Sequence, residues 1–123
     1  MRPNLVQWQR DVYPEVHSKR STLLVHVVTV PIFVAATLSS VVSLVTLQPI
    51  SALLGLGIMA AAFGAEAFMH KREPKAYAID GPADLLSRVF LEHFVTFWRF
   101  VLDGGWAKAY REAVPPKERT AQR

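Results

Sequence analysis

The chain has 123 residues, which is enough for one domain, and 51% of them are hydrophobic while 20% are charged. No Asp, Glu, Lys or Arg occurs between Ser21 and Ala65, so the charges are crowded into the two ends. Surface helices of soluble domains need a polar face, and this long uncharged block argues against a soluble fold. The absence of cysteine excludes disulfides and thiolate metal sites. The net charge is +4, and the basic residues lie beside the apolar sequence. This arrangement favours membrane anchoring. We expect no nucleic-acid partner.

The first 20 residues form a polar lead with apolar positions at helical spacing, namely Leu5, Trp8 and Val12. This spacing predicts a short helix that ends near Pro14 and lies at a membrane surface. Trp8 and Tyr13 are expected in the headgroup layer. The acidic residues of this lead are untypical of a secretory signal peptide, so we expect it to be retained.

The apolar block divides into two runs, residues 22–47 and 50–69, separated by Gln48 and Pro49. About 20 helical residues cross a bilayer, so each run is long enough for one span. Proline restrains the residue before it, which favours a turn at this point, and Pro31 is expected to kink the first span. The sequence therefore predicts an all-α fold built on a membrane helical hairpin with two spans.

The second run contains a stripe of small residues, Ala60, Ala61, Ala62, Gly64, Ala65 and Ala67. Small side chains let helices approach closely in lipid, so we expect this stripe to hold the hairpin together. Assembly into a homo-oligomer is left open by the same pattern.

A third segment, residues 82–102, has an amphipathic pattern, with a polar stripe of Asp84, Arg88, Glu92, Arg99 and Asp103. Pro82 favours a helix start and Gly104-Gly105 a helix end, which predicts a third amphipathic or membrane-associated helix. We expect one membrane-embedded helical domain over residues 1–104 and a charged, flexible tail over residues 105–123.

Basic residues flank both spans, whereas the connecting turn carries none. Those flanking residues are Arg2, Arg10, Lys19, Arg20, Lys71, Arg72 and Lys75. By the positive-inside rule, both termini are expected on the cytoplasmic side of a bacterial inner membrane or an ER-type membrane.

The ionisable residues in or beside the apolar runs are His17, His26, Glu66 and His70. A two-pass hairpin brings the start of one helix and the end of the other to the same membrane face, so these groups should form one cluster. Imidazole and carboxylate together are typical of non-haem Fe(II) sites. His17, His26 and His70 are therefore candidate metal ligands, and His93 is a further candidate ligand. Glu66 is the candidate catalytic residue, as a ligand or as a base beside the ion.

Structural roles remain open for each of these residues. His26 could hydrogen-bond across the hairpin, and Glu66 could pair with His70 or with a basic residue. His93 could be a packed aromatic side chain, and His17 could be solvated.

The stretch from His17 to His26, followed by Pro31, resembles the first signature of the Mpo-one-like family of small membrane proteins. The second signature of that family is Gly-His-x-x-x-Glu-Lys-x-x-Pro, and residues 65–74 are similar to it. At this signature the pair is exchanged, because Glu66 stands at the family's histidine and His70 at its glutamate. The resemblance covers roughly residues 15–104.

The resemblance implies an Fe(II)-dependent dioxygenase that shortens 2-hydroxy fatty acids by one carbon, with His17 and His26 as the first histidine pair. The lipid bilayer and a fatty-acyl substrate are then the expected partners. The basic rim of Lys19, Arg20, Lys71 and Arg72 would hold the substrate carboxylate or contact anionic lipids. The alternative is a non-enzymatic membrane scaffold or assembly subunit in which the histidines are structural.

Overall fold

The computed structural model describes residues 4–113 and shows helices connected by short turns and one longer loop. The helices are α1 (Leu5–Val16), α2 (Arg20–Val45), α3 (Pro49–His70), α4 (Pro82–Leu91), α5 (Phe97–Leu102) and α6 (Gly105–Glu112). A π-helical segment, Glu92–Thr96, joins α4 to α5, so that residues 82–102 form one continuous helical rod. The all-α prediction and the positions of the hairpin and the third helix are confirmed.

The hairpin is an antiparallel packing of α2 against α3 along a seven-residue repeat. The buried positions of α2 alternate in steps of four and three, and include Thr22, His26, Thr29, Phe33, Ala36, Ser40 and Ser43. The buried positions of α3 are Ala52, Gly55, Ala62 and Glu66. This spacing keeps one seam of each helix facing its neighbour. Small residues fill the seam near the turn, and polar residues occupy it near the other end.

Gly55 marks the close approach of the two helices near the turn. A β-carbon on Gly55 would lie 2.0 Å from the Ser40 Oγ and 3.1 Å from the carbonyl oxygen of Ala36. The prediction that the small-residue stripe packs against α2 is wrong. Only one of its six residues, Ala62, is fully buried. The seven-residue spacing rotates the others away from α2.

Both hairpin helices are long and apolar enough to cross a membrane. At about 1.5 Å per residue, the 26 residues of α2 exceed the ~30 Å hydrocarbon thickness of a bilayer. Only 33% of the most apolar stretch of α2 and 22% of that of α3 are buried. Core helices of soluble proteins are mostly buried, so this exposed apolar surface suggests membrane association.

The remaining helices gather at the end of the hairpin where α2 begins and α3 ends. α1 contacts α4 and the π-helical segment, which in turn contacts α2. α1 continues through Pro14 to Val16, two residues beyond the predicted end. Tyr13 is not in a headgroup layer as predicted but is 1% exposed, within a core that includes Leu23, Val30, Phe97 and Phe100.

Residues 105–112 form helix α6, whereas the sequence predicted a flexible tail from residue 105 onward. Gly104 adopts a φ of 83°, which permits the tight turn from α5 into α6. Trp106 and Tyr110 lie one turn apart and pack against the core. The Trp106 Nε1 donates to the Leu23 carbonyl at 3.3 Å. These aromatic anchors explain the helix, and the part of the predicted tail after residue 113 lies outside the described residues.

Candidate metal centre

Two histidines from the start of the hairpin point their Nε2 atoms at each other across 3.2 Å. The Nδ1 of His17 contacts the carbonyl of Tyr13 at 2.9 Å, and the Nδ1 of His26 contacts the carbonyl of Thr22 at 2.8 Å. A carbonyl can only accept a hydrogen bond, so these contacts assign the proton of each neutral ring to Nδ1. Each Nε2 then carries a lone pair that faces the other ring.

Glu92 supplies the carboxylate beside this pair. Its Oε1 lies 3.3 Å from the Nε2 of His17 and 3.3 Å from the Nε2 of His26, and it accepts a hydrogen bond of 3.1 Å from the Tyr13 hydroxyl. Burial alone would raise the pKa of Glu92, but when the Nε2 atoms of His17 and His26 carry protons, their hydrogen bonds to the carboxylate hold this pKa well below its usual range. Burial lowers the pKa of His17. An ionised carboxylate beside a neutral imidazole is the protonation state that metal ligands require.

His70, from the last turn of α3, completes a set of four groups with His17, His26 and Glu92. One possible ligand atom from each of these residues lies within 4.8 Å of the other three. The His70 ring is 4.6 Å from the His17 ring and 5.1 Å from the His26 ring, measured between centroids. Its Nδ1 is buried without a hydrogen-bond partner among the described residues.

These four groups could hold a metal ion. Ligands at about 2.1 Å from one ion in tetrahedral geometry lie roughly 3.4 Å apart, close to the 3.2 and 3.3 Å separations among His17, His26 and Glu92. With His70 included, the ligand atoms lie within 4.8 Å of one another. Converging lone pairs repel unless a proton or a metal ion lies between them. The buried, unpartnered nitrogen of His70 fits the same interpretation, because a buried polar atom without a partner is costly. Three imidazoles and one carboxylate form a ligand set for a borderline divalent ion.

Glu66 and His93 form a separate buried pair next to the four-group set. The Nε2 of His93 lies 2.8 Å from Glu66 Oε2, and Thr29 donates to Glu66 Oε1 at 2.5 Å. Burial alone would lower the pKa of His93, but the hydrogen bond and charge of Glu66 outweigh it and raise this pKa. Phe33 packs on the His93 ring, with centroids 4.0 Å apart. His93 thus packs as an aromatic side chain, which is the structural role considered for it in the sequence, and it also pairs with Glu66.

Glu73, in the loop after α3, fixes the segment that carries His17. Its Oε1 accepts from the backbone N–H and the hydroxyl of Ser18, at 2.6 and 2.7 Å. Its Oε2 accepts from the Thr22 hydroxyl at 2.6 Å and from the Lys19 N–H at 3.1 Å. A carboxylate that caps the first turn of a helix satisfies N–H groups that have no partner within the helix. The N-terminus of α2 is therefore held against the end of α3.

The π-helical segment explains how Glu92 and His93 both face inward. These residues are adjacent, yet their exposed fractions are 6% and 0%. A π-helical turn widens the helix and commonly occurs at functional sites. Side chains satisfy one carbonyl before the segment and one within it: Gln9 donates to the Arg88 carbonyl at 3.0 Å and Trp98 to the His93 carbonyl at 2.7 Å.

A cavity of about 250 Å³ lies beside the four-group set, and Glu66, His70 and Glu92 are part of its wall. Most of the remaining wall is apolar and includes Phe63, Ala67, Ala76, Tyr77, Ile79, Leu85 and Val89. Two cations also line it, Lys71 and Arg88. The cavity thus connects the polar groups with an apolar compartment.

The structure brings three of the predicted ligands together and places the other predicted residues next to them. His17, His26 and His70 converge as the hairpin topology predicted, and the option of a solvated His17 is wrong because this residue is 0% exposed. The carboxylate of the set is Glu92, which in the sequence is visible only as part of a polar stripe. The four-residue spacing of Glu92 from Arg88, and of Arg88 from Asp84, is visible in the sequence. Nothing in the neighbouring sequence distinguishes Glu92 from a solvated residue.

Comparison of this chain with family models, curated proteins and solved structures gives no match. In the structure, the two residues at which the chain departs from the Mpo-one-like signature have different partners. His70 belongs to the four-group set, whereas Glu66 pairs with His93 and lines the cavity.

Proposed function

We propose that this protein is an Fe(II)-dependent dioxygenase-like membrane protein that acts on 2-hydroxy fatty acids or related lipid acyl chains. The observation that carries the proposal is a set of three histidines and one glutamate in the wall of an apolar cavity. Three imidazoles and one carboxylate extend the two-histidine, one-carboxylate ligand set of non-haem iron oxygenases. The resemblance to the Mpo-one-like family supports the same activity.

The location of the cavity supports a lipid-borne substrate. The cavity lies where α2 begins and α3 ends, which is one membrane face of a spanning hairpin. An acyl chain could reach it from the bilayer without crossing water. Its apolar wall removes the chain from water, while the reacting end lies toward His70 and Glu92.

Each polar group then has a defined task. His17, His26, His70 and Glu92 would hold the ion, and the ion would activate oxygen when bound. Glu66 lines the cavity and would accept the proton of the substrate hydroxyl, while protonated His93 stabilises its charge. In balanced form, one 2-hydroxy acid and one O₂ give the acid that is one carbon shorter, one CO₂ and one water.

Metal analysis of detergent-purified protein, combined with oxygen uptake on 2-hydroxy palmitate, tests the proposal. We expect one iron per chain and uptake of one O₂ per substrate, with the shortened acid as product. His26→Ala should lose the iron, whereas His93→Ala should retain it and lose turnover, because His93 lies outside the four-group set. A folded wild-type protein that binds no iron would contradict the proposal.

A second function is favoured by a different observation. The small residues Ala60, Ala61, Gly64 and Ala65 of α3 are exposed rather than packed in the hairpin. Such a surface is typical of helix contacts in membranes, and a scaffold or homo-oligomer would use it. Metal-free, fully folded protein that crosslinks through Cys introduced at Ala61 would support this alternative.

A further inference from the structure

Arg88 is a buried cation in the cavity wall, with an exposed fraction of 3%. One of its nitrogens, Nη2, bonds to Asp84, and its guanidinium lies 4.4 Å from the centre of the Trp8 ring. Its Nε and Nη1 have no hydrogen-bond partner among the described residues. Buried N–H groups of a charged side chain are costly to leave without an acceptor, so this residue has donors available for a ligand.

The pairing with Asp84 fixes Arg88 without using all its donors. Asp84 is 1% exposed and accepts from Arg88 and from the Asp80 N–H. The guanidinium is thus held in position by one carboxylate and by the rings of Trp8 and Tyr77. A side chain held in this way loses little further freedom when it binds a ligand, which favours recognition.

The charged side chains in the cavity wall leave Arg88 as the donor best placed for an anion. Glu66 is in contact with His93, and Arg88 with Asp84. Lys71 and Glu92 carry opposite charges, whereas two buried nitrogens of Arg88 have no acceptor among the described residues. The apolar part of the wall would accept a hydrocarbon chain at the same time.

We propose that Arg88 binds the carboxylate of an apolar-tailed acid in this cavity and thereby sets its position relative to the four-group set. Arg88 and Glu92 are four residues apart, about 6 Å along the helix axis. A carboxylate held at Arg88 would therefore place the carbons next to it beside Glu92. The inference extends the proposed function to the head group of its substrate, and it replaces the basic rim predicted from sequence. Of that rim only Lys71 lines the cavity, and Arg20 instead donates to the Tyr110 carbonyl.

Binding of palmitic acid and of hexadecanol, measured by displacement of a fluorescent acyl probe from detergent-purified protein, tests the inference. These compounds share the chain and differ in charge. The wild type should prefer the acid at least tenfold, and Arg88→Gln should abolish that preference while it binds the alcohol as before. Lys71→Gln, which removes an exposed cation from the same wall, should change the preference less than threefold.

The double variant Asp84→Asn/Arg88→Gln guards against misfolding, because it removes both buried charges together. Unchanged acid preference in either Arg88 variant would overturn the inference. The inference would also be overturned if chelation of the metal removed the acid preference of a protein with intact Arg88, since the ion would then be the group that binds the carboxylate. Tighter Arg88-dependent binding of hexadecyl phosphate would also overturn it, in favour of a phospholipid head group.

The two proposals fail separately. Arg88-dependent acid binding in a protein without oxygen uptake would leave this inference standing and remove the oxygenase. Oxygen uptake by a protein whose acid preference does not depend on Arg88 would support the oxygenase and remove the inference about Arg88.

Discussion

The carbonyl oxygens of Tyr13 and Thr22 determine what the histidines of the site can do. Each accepts from the Nδ1 of the histidine four residues later, and this leaves Nε2 of His17 and His26 for a ligand. Second contacts of this kind orient the rings and fix their tautomers. Backbone groups therefore orient the two rings, while the side chains of Tyr13 and Glu73 position Glu92 and the segment that carries His17.

Glu92→Gln should weaken metal binding by at least about 100-fold, because it removes a charged ligand rather than an outer contact, whose loss typically costs 10–100-fold. Titration of chelator-treated protein with Fe(II) or Co(II) measures the change. Glu15→Gln, which alters an exposed carboxylate paired with Lys75, is the matched control. Equal affinities in the two variants would contradict the assignment of Glu92.

Glu73→Gln should destabilise the protein by about 1 kcal/mol, the usual effect of removing a helix cap. Burial alone would raise the pKa of Glu73, but hydrogen bonds from Thr22 and Ser18 lower it below its ordinary value of 4.5. The unfolded chain therefore takes up the proton first. The contribution of Glu73 is present above pH 4.5 and is lost as the pH falls through the lower folded-state pKa.

Thermal unfolding in detergent between pH 3 and pH 7 measures this effect. The difference in stability between wild type and Glu73→Gln should be largest at pH 7 and should shrink at the acidic end. A difference that grows toward low pH would show that another group is responsible.

The contact between α2 and α3 is the element on which the position of every histidine ligand depends. Gly55→Ala should destabilise the hairpin by about 1–3 kcal/mol, as overpacking typically does. The new methyl group would meet Ser40, which can rotate away, and the Ala36 carbonyl, which is backbone and cannot. Gly57→Ala is the control, since nothing lies within 4 Å of its β-carbon. Unfolding in detergent should distinguish the two variants, and equal stabilities would place the seam elsewhere.

The length of the two apolar runs predicted the long helices well, because about 20 consecutive apolar residues are typical of a helix long enough to cross a bilayer. The third helix was likewise visible from Pro82 and Gly104. The π-helical segment was not, because one extra residue in a turn leaves no composition signal. Helix α6 was missed because its stability comes from Trp106 and Tyr110 packing on a distant core, which local charge content does not reveal.

At the level of the whole molecule, the chain lacks cysteine, so single cysteines report topology without background. Cysteine at Leu47, in the turn, and at Glu112, in α6, should react with an impermeant maleimide from opposite sides of the membrane. The basic flanks predict Glu112→Cys on the cytoplasmic side. Labelling of both sites from the same side would contradict a spanning hairpin, and the cysteine-free parent is the control.

The candidate site was half predictable for a topological reason. A hairpin must bring the start of α2 and the end of α3 together, so the convergence of His26 and His70 followed from the order of the spans. The choice between Glu66 and Glu92 depended on how the third helix docks and where it widens. Docking of the third helix is a tertiary contact between residues far apart in the chain, and it cannot be predicted from a single sequence.

The ligand farthest along the chain, Glu92, has a consequence for biogenesis. A ribosome releases His17, His26 and His70 before Glu92, so the apolar hairpin can form while the four-group set still lacks its carboxylate. A metal ion of the kind proposed above would then meet a complete set of ligands only after the third helix has docked.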